Sequence, residues 1–142
     1  MDKVDAYEDW LSERPTARAD MAAFVEGISD YVKTRRAGFF VVPQNGHELI
    51  DEEGYGAVID GLGSEDNYFN GDVGLPAEER EYRESYLDKY VAAGKKVFAV
   101  DYCRVNVNVD YVYGRARAKG YVPYCTVRAL DRLVINGRYP PD

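Results

Sequence analysis

One histidine, one tryptophan and two cysteines are all that 142 residues supply of the side chains most often recruited for metal, redox or nucleophile–base chemistry. With His47 alone, a histidine metal cluster is excluded and a nucleophile–histidine pair lacks support. Cys103 and Cys125 lie in two different apolar segments without C-x-x-C spacing. They read as buried thiols, able to join only if their segments are neighbouring strands. No run of about 18 apolar residues occurs, so no membrane-spanning helix is expected. The opening MDKVDAYEDW has no basic stretch leading into an apolar one, so it carries no secretion-signal pattern. Positive charge is also short: 18 Lys and Arg against 25 Asp and Glu leave a net charge of −7. That balance excludes a nonspecific hold on nucleic-acid phosphates and suits a neutral or cationic ligand, or simply a well-solvated surface. GLGSED (61–66) lacks the lysine of a phosphate loop and the spacing of a dinucleotide fingerprint, and no metal or other cofactor is implied.

What is present is a globular composition, 46% hydrophobic and 30% charged, enough for one domain with a real core. A grammar recurs along it. Basic or small residues close a helical pattern, a glycine follows, and a short apolar run ends in polar residues. It runs through Gly38 into FFVVPQN (39–45), through Gly94 into KKVFAVDYC (95–103), and through Gly120 into YVPYCTV (121–127). Glycine past a helix end supplies the left-handed closing residue, and a near-continuous apolar strand after it fits a parallel sheet buried on both faces. AVIDGLGSED (57–66) is a further strand, preceded by a brief helix over 47–53.

The helices between are well signalled. Over 16–36, Met21, Phe24, Val25, Ile28, Tyr31 and Val32 form one apolar stripe. Pro76 opens a second helix, with Glu78, Glu79 and Glu81 near its start and Tyr82, Tyr86, Tyr90 and Val91 on one side. Asn108 or Asp110 starts a third that ends at Gly120. Alternation of this kind implies right-handed βαβ units, closing as an open sheet or as a barrel. Polar residues end each strand in turn: Gln44 and Asn45, Glu65 and Asp66, Asp101, then Thr126 and Arg128. Convergence of all strand ends on one face favours the barrel.

Five strings in order, MDKVDAYEDW (1–10), FFVVPQNG (39–46), IDGLGSEDNYF (59–69), VFAVDYC (97–103) and YVPYCTVRALDRL (121–133), together resemble glycoside hydrolase family 114, the polygalactosaminidase-like TIM-barrel proteins. The resemblance implies an α/β fold, a partial (β/α)8 TIM barrel comprising roughly the last four βα units with a parallel sheet. Residues 1–142 then form a single partial domain. Asp2 falls just after the fourth strand, so Met1 is expected to lie inside that strand with the earlier units upstream or on another polypeptide. A half barrel exposes its inward faces and two strand edges, so the missing N-terminal half or self-association is expected to cover them.

Glycosidic cleavage usually needs two carboxyl groups. The resemblance places them at Asp2, as nucleophile or charge stabiliser, and Glu65, as general acid/base. It surrounds them with substrate-binding residues Asp5, Tyr7, Gln44, Asn45, Asp66, Tyr68, Asp101 and Tyr102. Asp101 reads equally as a substrate ligand or as the partner of a neighbouring charge such as Arg128. Trp10 reads as a cleft wall or as core. The implied function is hydrolysis of an α-1,4-linked galactosamine-type polysaccharide, with an oligosaccharide or polysaccharide as partner and neither nucleic acid nor membrane. A noncatalytic carbohydrate-binding barrel and an inactive fragment are the alternatives. An extracellular location is expected from the family alone.

Overall fold

A computed structural model describes residues 1–140. A 3-10 turn, Val4–Trp10, leads into helix α1, Ala17–Arg35. An extended segment over 41–45 and a second 3-10 turn, His47–Asp51, precede the one-turn helix α2, Tyr55–Val58. Strand β1, Gly61–Asn70, pairs antiparallel with the short β2, Val73–Gly74. Helix α3, Ala77–Ala92, strand β3, Lys96–Tyr102, helix α4, Asn106–Ala118, and strand β4, Val122–Cys125, complete the alternation. The sheet order is β2-β1-β3-β4, with β1–β3 and β3–β4 parallel. This is a curled, mostly parallel half-barrel sheet.

The glycines that close the helical patterns take the left-handed backbone their position requires, with φ of 85° at Gly38, 74° at Gly94 and 81° at Gly120. Residues 41–45 run alongside β1: Gly63 N donates to Pro43 O at 2.8 Å and Asn45 N to Gly63 O at 2.7 Å. Among the described residues their other side is held at Met1, whose O accepts from Gln44 N at 2.7 Å and whose amino terminus donates to Val42 O at 2.9 Å. The predicted strand over 39–45 is therefore a strand position with a single ladder bridge, in part because Pro43 has no N–H to donate.

Three expectations are corrected. The hairpin to β2 turns through Gly71 and Asp72, both with positive φ, and adds an antiparallel edge to the expected parallel sheet. Helix α4 starts at Asn106, before both expected positions, because Asp72 Oδ1 accepts from Arg104 N and Val105 N at 2.8 and 2.9 Å. Helix α1 buries Ala22, Val25 and Ser29, while Phe24 and Tyr31 of the predicted stripe stay exposed. Its small residues allow the closer approach: Ser29 Oγ donates to Val58 O at 2.5 Å, beside the Lys33–Asp60 ion pair at 2.9 Å.

The core fills the space between the helices and one face of the sheet, around Leu62, Leu87, Tyr90, Val97, Ala99 and Val112. Burying such side chains contributes about 1.5–3 kcal/mol each. Glu84 of α3 is buried and takes a two-pronged bond from Arg115 of α4 at 2.7 Å on each oxygen, which ties the two helices. The opposite, concave face is open: Phe98 is 39% exposed, Val122 44% and Phe40 75%. Cys103 and Cys125 are free thiols on neighbouring strand ends with Sγ atoms 2.8 Å apart. Among the described residues no helix is long and apolar enough to cross a membrane.

Candidate active site

Side chains alternate across a strand, and parity decides what reaches the concave face. On β3, Val97, Ala99 and Asp101 are buried towards the helices, while Phe98 and Val100 take the open side. Register then puts Gly63 and Glu65 of β1 and Val122 and Tyr124 of β4 on that same side. The missing Cβ at Gly63 leaves room for the Gln44 side-chain amide to lie over β1. Asp2, Gln44 and Glu65, with Val42, Val100 and Tyr124, line one cavity of about 450 Å³ at the carboxyl ends of the strands.

Glu65 is held from both sides. Asn45 Nδ2 donates to its Oε2 at 3.1 Å, and its own N–H donates to Asn45 Oδ1 at 3.0 Å. The Tyr102 hydroxyl donates to Oε1. Burial and this carboxylate push the Tyr102 phenol far up, so it stays a proton donor throughout the physiological range. Arg128 lies 4.1 Å over the Tyr102 ring and reaches Asp66 Oδ1 and Asn70 Oδ1 at 2.5 Å each. Of the residues expected at the site, Asn45, Asp66 and Tyr102 therefore gather around Glu65, with Gln44 and Asp2 in the same cavity. Asp2 is exposed and accepts from Lys3 N at 2.8 Å.

The others go elsewhere. Tyr68 is buried against Tyr111, ring centroids 5.8 Å apart. Asp101 is 0% exposed and accepts from Tyr68 N and Phe69 N; it is neither on the open face nor paired with Arg128. One step of strand parity separates it from Tyr102. Asp5 and Tyr7 fall on the first 3-10 turn, and Tyr7 donates to Glu48 at 3.2 Å in a second cavity of about 520 Å³. There Tyr82 donates to the other Glu48 oxygen at 2.7 Å. Burial, then the nearby Glu48, pushes the Glu8 carboxyl up, whereas the Tyr82 hydroxyl and His47 hold Glu48 down against its burial. Trp10 is exposed. Sequence reasoning missed this pocket, and it missed Arg83, whose Nη1 donates to Glu65 O at 3.2 Å. The only available signal for Arg83 was that the start of α3 must overlie the end of β1. Among the described residues no group of three or more His, Cys, Asp or Glu is placed to hold a metal ion.

A curled, mostly parallel β/α sheet that gathers polar side chains at the carboxyl ends of its strands is the arrangement of a partial β/α barrel. The model of glycoside-hydrolase family GH114 matches residues 1–139, and the chain belongs to that family. It is 37% identical to an uncharacterized protein of Deinococcus radiodurans over 96% of this chain and 44% of that protein. It is 29% identical to one of Thermotoga maritima, over 100% of this chain and 49% of the relative. The chain thus spans about half the length of the curated relatives it matches. The glycoside hydrolase domain of PelA from Pseudomonas aeruginosa superposes with a TM-score of 0.68 at 22% identity, over 92% of this chain and 53% of that one. A variant of that domain gives 0.65 at 21%. The likeness establishes the partial TIM-barrel fold.

Proposed function

We propose that the concave rim is the site of a glycoside hydrolase acting on an α-1,4-linked galactosamine-type polysaccharide, with Glu65 as general acid/base and Asp2 as nucleophile or charge stabiliser. The observation that carries the reading is the shared cavity: Asp2 and Glu65 line it together, and Glu65 is oriented by Asn45 and Tyr102. Protonated Glu65 gives its proton to the glycosidic oxygen as the bond to the anomeric carbon breaks. Asp2 supports the positive charge on the sugar from its own position, as attacking group or as counter-charge. Glu65, now a carboxylate, then receives a proton from the incoming water, and its hydrogen bonds from Asn45 and Tyr102 stabilise that charge. Gln44 supplies an amide for sugar hydroxyls. Asp66 acts through Arg128, while Tyr7, Tyr68 and Asp101 serve packing and backbone support. The acidity of the chain favours a cationic amino-sugar polymer.

Residues 1–140 contribute one part of a barrel in this reading. The open faces of Phe98 and Val122 are covered by the barrel's remaining strands rather than by solvent. The test is release of reducing ends from partly deacetylated α-1,4-polygalactosamine, by the chain alone and by the chain joined to the part of the Deinococcus radiodurans relative that it does not span. Turnover in the joined form, lost in Glu65→Gln with polymer binding retained, is the expected result. Binding without turnover in the unsubstituted joined form points instead to a carbohydrate-binding barrel.

A further inference from the structure

Asp101 sits one strand from Glu65 on the buried side of β3, and its surroundings are unusual. Glu65 stands opposite Val100, yet Asn70 stands opposite Tyr102, so five residues of β1 pass against two of β3. The excursion opens at Asp66 with φ 52°, a left-handed backbone uncommon for non-glycine residues and tolerated best by Asn and Asp. Amides in such an excursion lose their ladder partners, and buried amides need replacements. Tyr68 N and Phe69 N both donate to Asp101 Oδ1, at 2.6 and 2.8 Å. Asn67 completes the clamp, its Nδ2 donating to Ser64 O at 2.8 Å and its Oδ1 accepting from Ser64 Oγ at 2.6 Å. Asp101 Oδ2 is buried without a partner among the described residues.

We propose that Asp101 is a positioning residue for Glu65: by bonding the amides of the excursion it fixes the backbone that starts at Asp66, and so aims the Glu65 carboxylate at the cavity and at Asn45. The inference rests on Glu65 being the acid/base. The titratable groups facing Asp101 are Asp66 and Tyr68 from β1 and Cys125 from β4, whose Sγ in turn meets that of Cys103. Arg128, the nearby cation, is engaged by Asp66. Burial pushes the Asp101 carboxyl up to about 6 against the pull of the Phe69 and Tyr68 amides, with Asp66 adding to the rise. Its two amide bonds therefore weaken as it takes up a proton in mildly acidic solution.

The test is an NMR titration of the labelled chain, following the Tyr68 and Phe69 amides, the Glu65 side-chain carboxyl carbon and the Asn45 side-chain amide. All four are expected to inflect together near pH 6, the value of Asp101, and the shared inflection is expected to vanish in Asp101→Asn. In the enzyme, that substitution is expected to lower kcat about tenfold with KM unchanged. The proposal is overturned if the Tyr68 and Phe69 amides titrate while Glu65 and Asn45 do not follow. If Asp101→Asn does not fold, the titration of the unsubstituted chain decides alone. A missing coupling with Glu65→Gln still inactive sinks this inference and leaves the hydrolase reading; an active Glu65→Gln enzyme removes the reading beneath it.

Discussion

Glu65 and Asp101 are carboxylates at the carboxyl ends of adjacent parallel strands, yet they live in opposite environments. Glu65 faces an open cavity and is bonded by a side-chain amide and a phenol. Asp101 is fully buried and bonded by two backbone amides. The difference teaches that position at a strand end does not make a residue part of a barrel's site; parity does. The member on the concave face can do chemistry, and the helix-facing member holds the backbone that lets it.

Substitutions that exchange or abolish this division give the sharpest tests. Glu65→Gln is expected to lower kcat by roughly 10²–10⁴ while polymer binding persists, measured as reducing-end release. Asp2→Asn is expected to follow with a loss of the same order or somewhat less; parity of the two losses is consistent with paired carboxylates, and an unaffected rate removes Asp2 from the site. Tyr102→Phe and Asn45→Ala each remove one bond to Glu65, and a hydrogen bond to a charged group contributes about 1.5–3 kcal/mol. Roughly tenfold losses in kcat, with polymer binding retained, are the expected signature of a Glu65 that is no longer held in place.

The smallest effect concerns stability. Asp101 has a folded-state value near 6, above the roughly 3.9 of an unfolded aspartate. The folded chain therefore binds more protons than the unfolded one between these values, so the site's contribution is full below about pH 4 and is lost as pH rises through about 6. Relative to Asp101→Asn, the unsubstituted chain is expected to lose about 3 kcal/mol over that window, read by denaturant melts at several pH values. A difference that stays constant with pH would contradict a raised folded-state value for Asp101.

Much of this arrangement is legible in the residues themselves. Glycine-terminated helices followed by apolar runs identify the αβ joints, and polar residues at successive strand ends point to one rim. The resemblance adds Glu65 and Asp2. What stays hidden is the register. Nothing in GSEDNYFN announces that β1 passes five residues against two of β3, so Tyr68 and Asp101 read as site residues when they belong to the helix-facing layer. The α1 stripe misleads for a related reason. Large apolar residues mark a face, but Phe24 and Tyr31 stay exposed while Ala22 and Ser29 make the close contact with α2. Small residues at packing faces carry little hydrophobic signal, so periodicity alone rotates the helix wrongly.

The division between Glu65 and Asp101 meets its most direct test in a crystal structure of the Glu65→Gln barrel with a galactosamine oligosaccharide bound. A glycosidic oxygen within about 3 Å of the substituted side chain at position 65, in the cavity shared with Asp2 and Gln44, is the predicted result. Sugar seated instead against Tyr7, Glu48 and Tyr82, with the rim cavity empty, would contradict it.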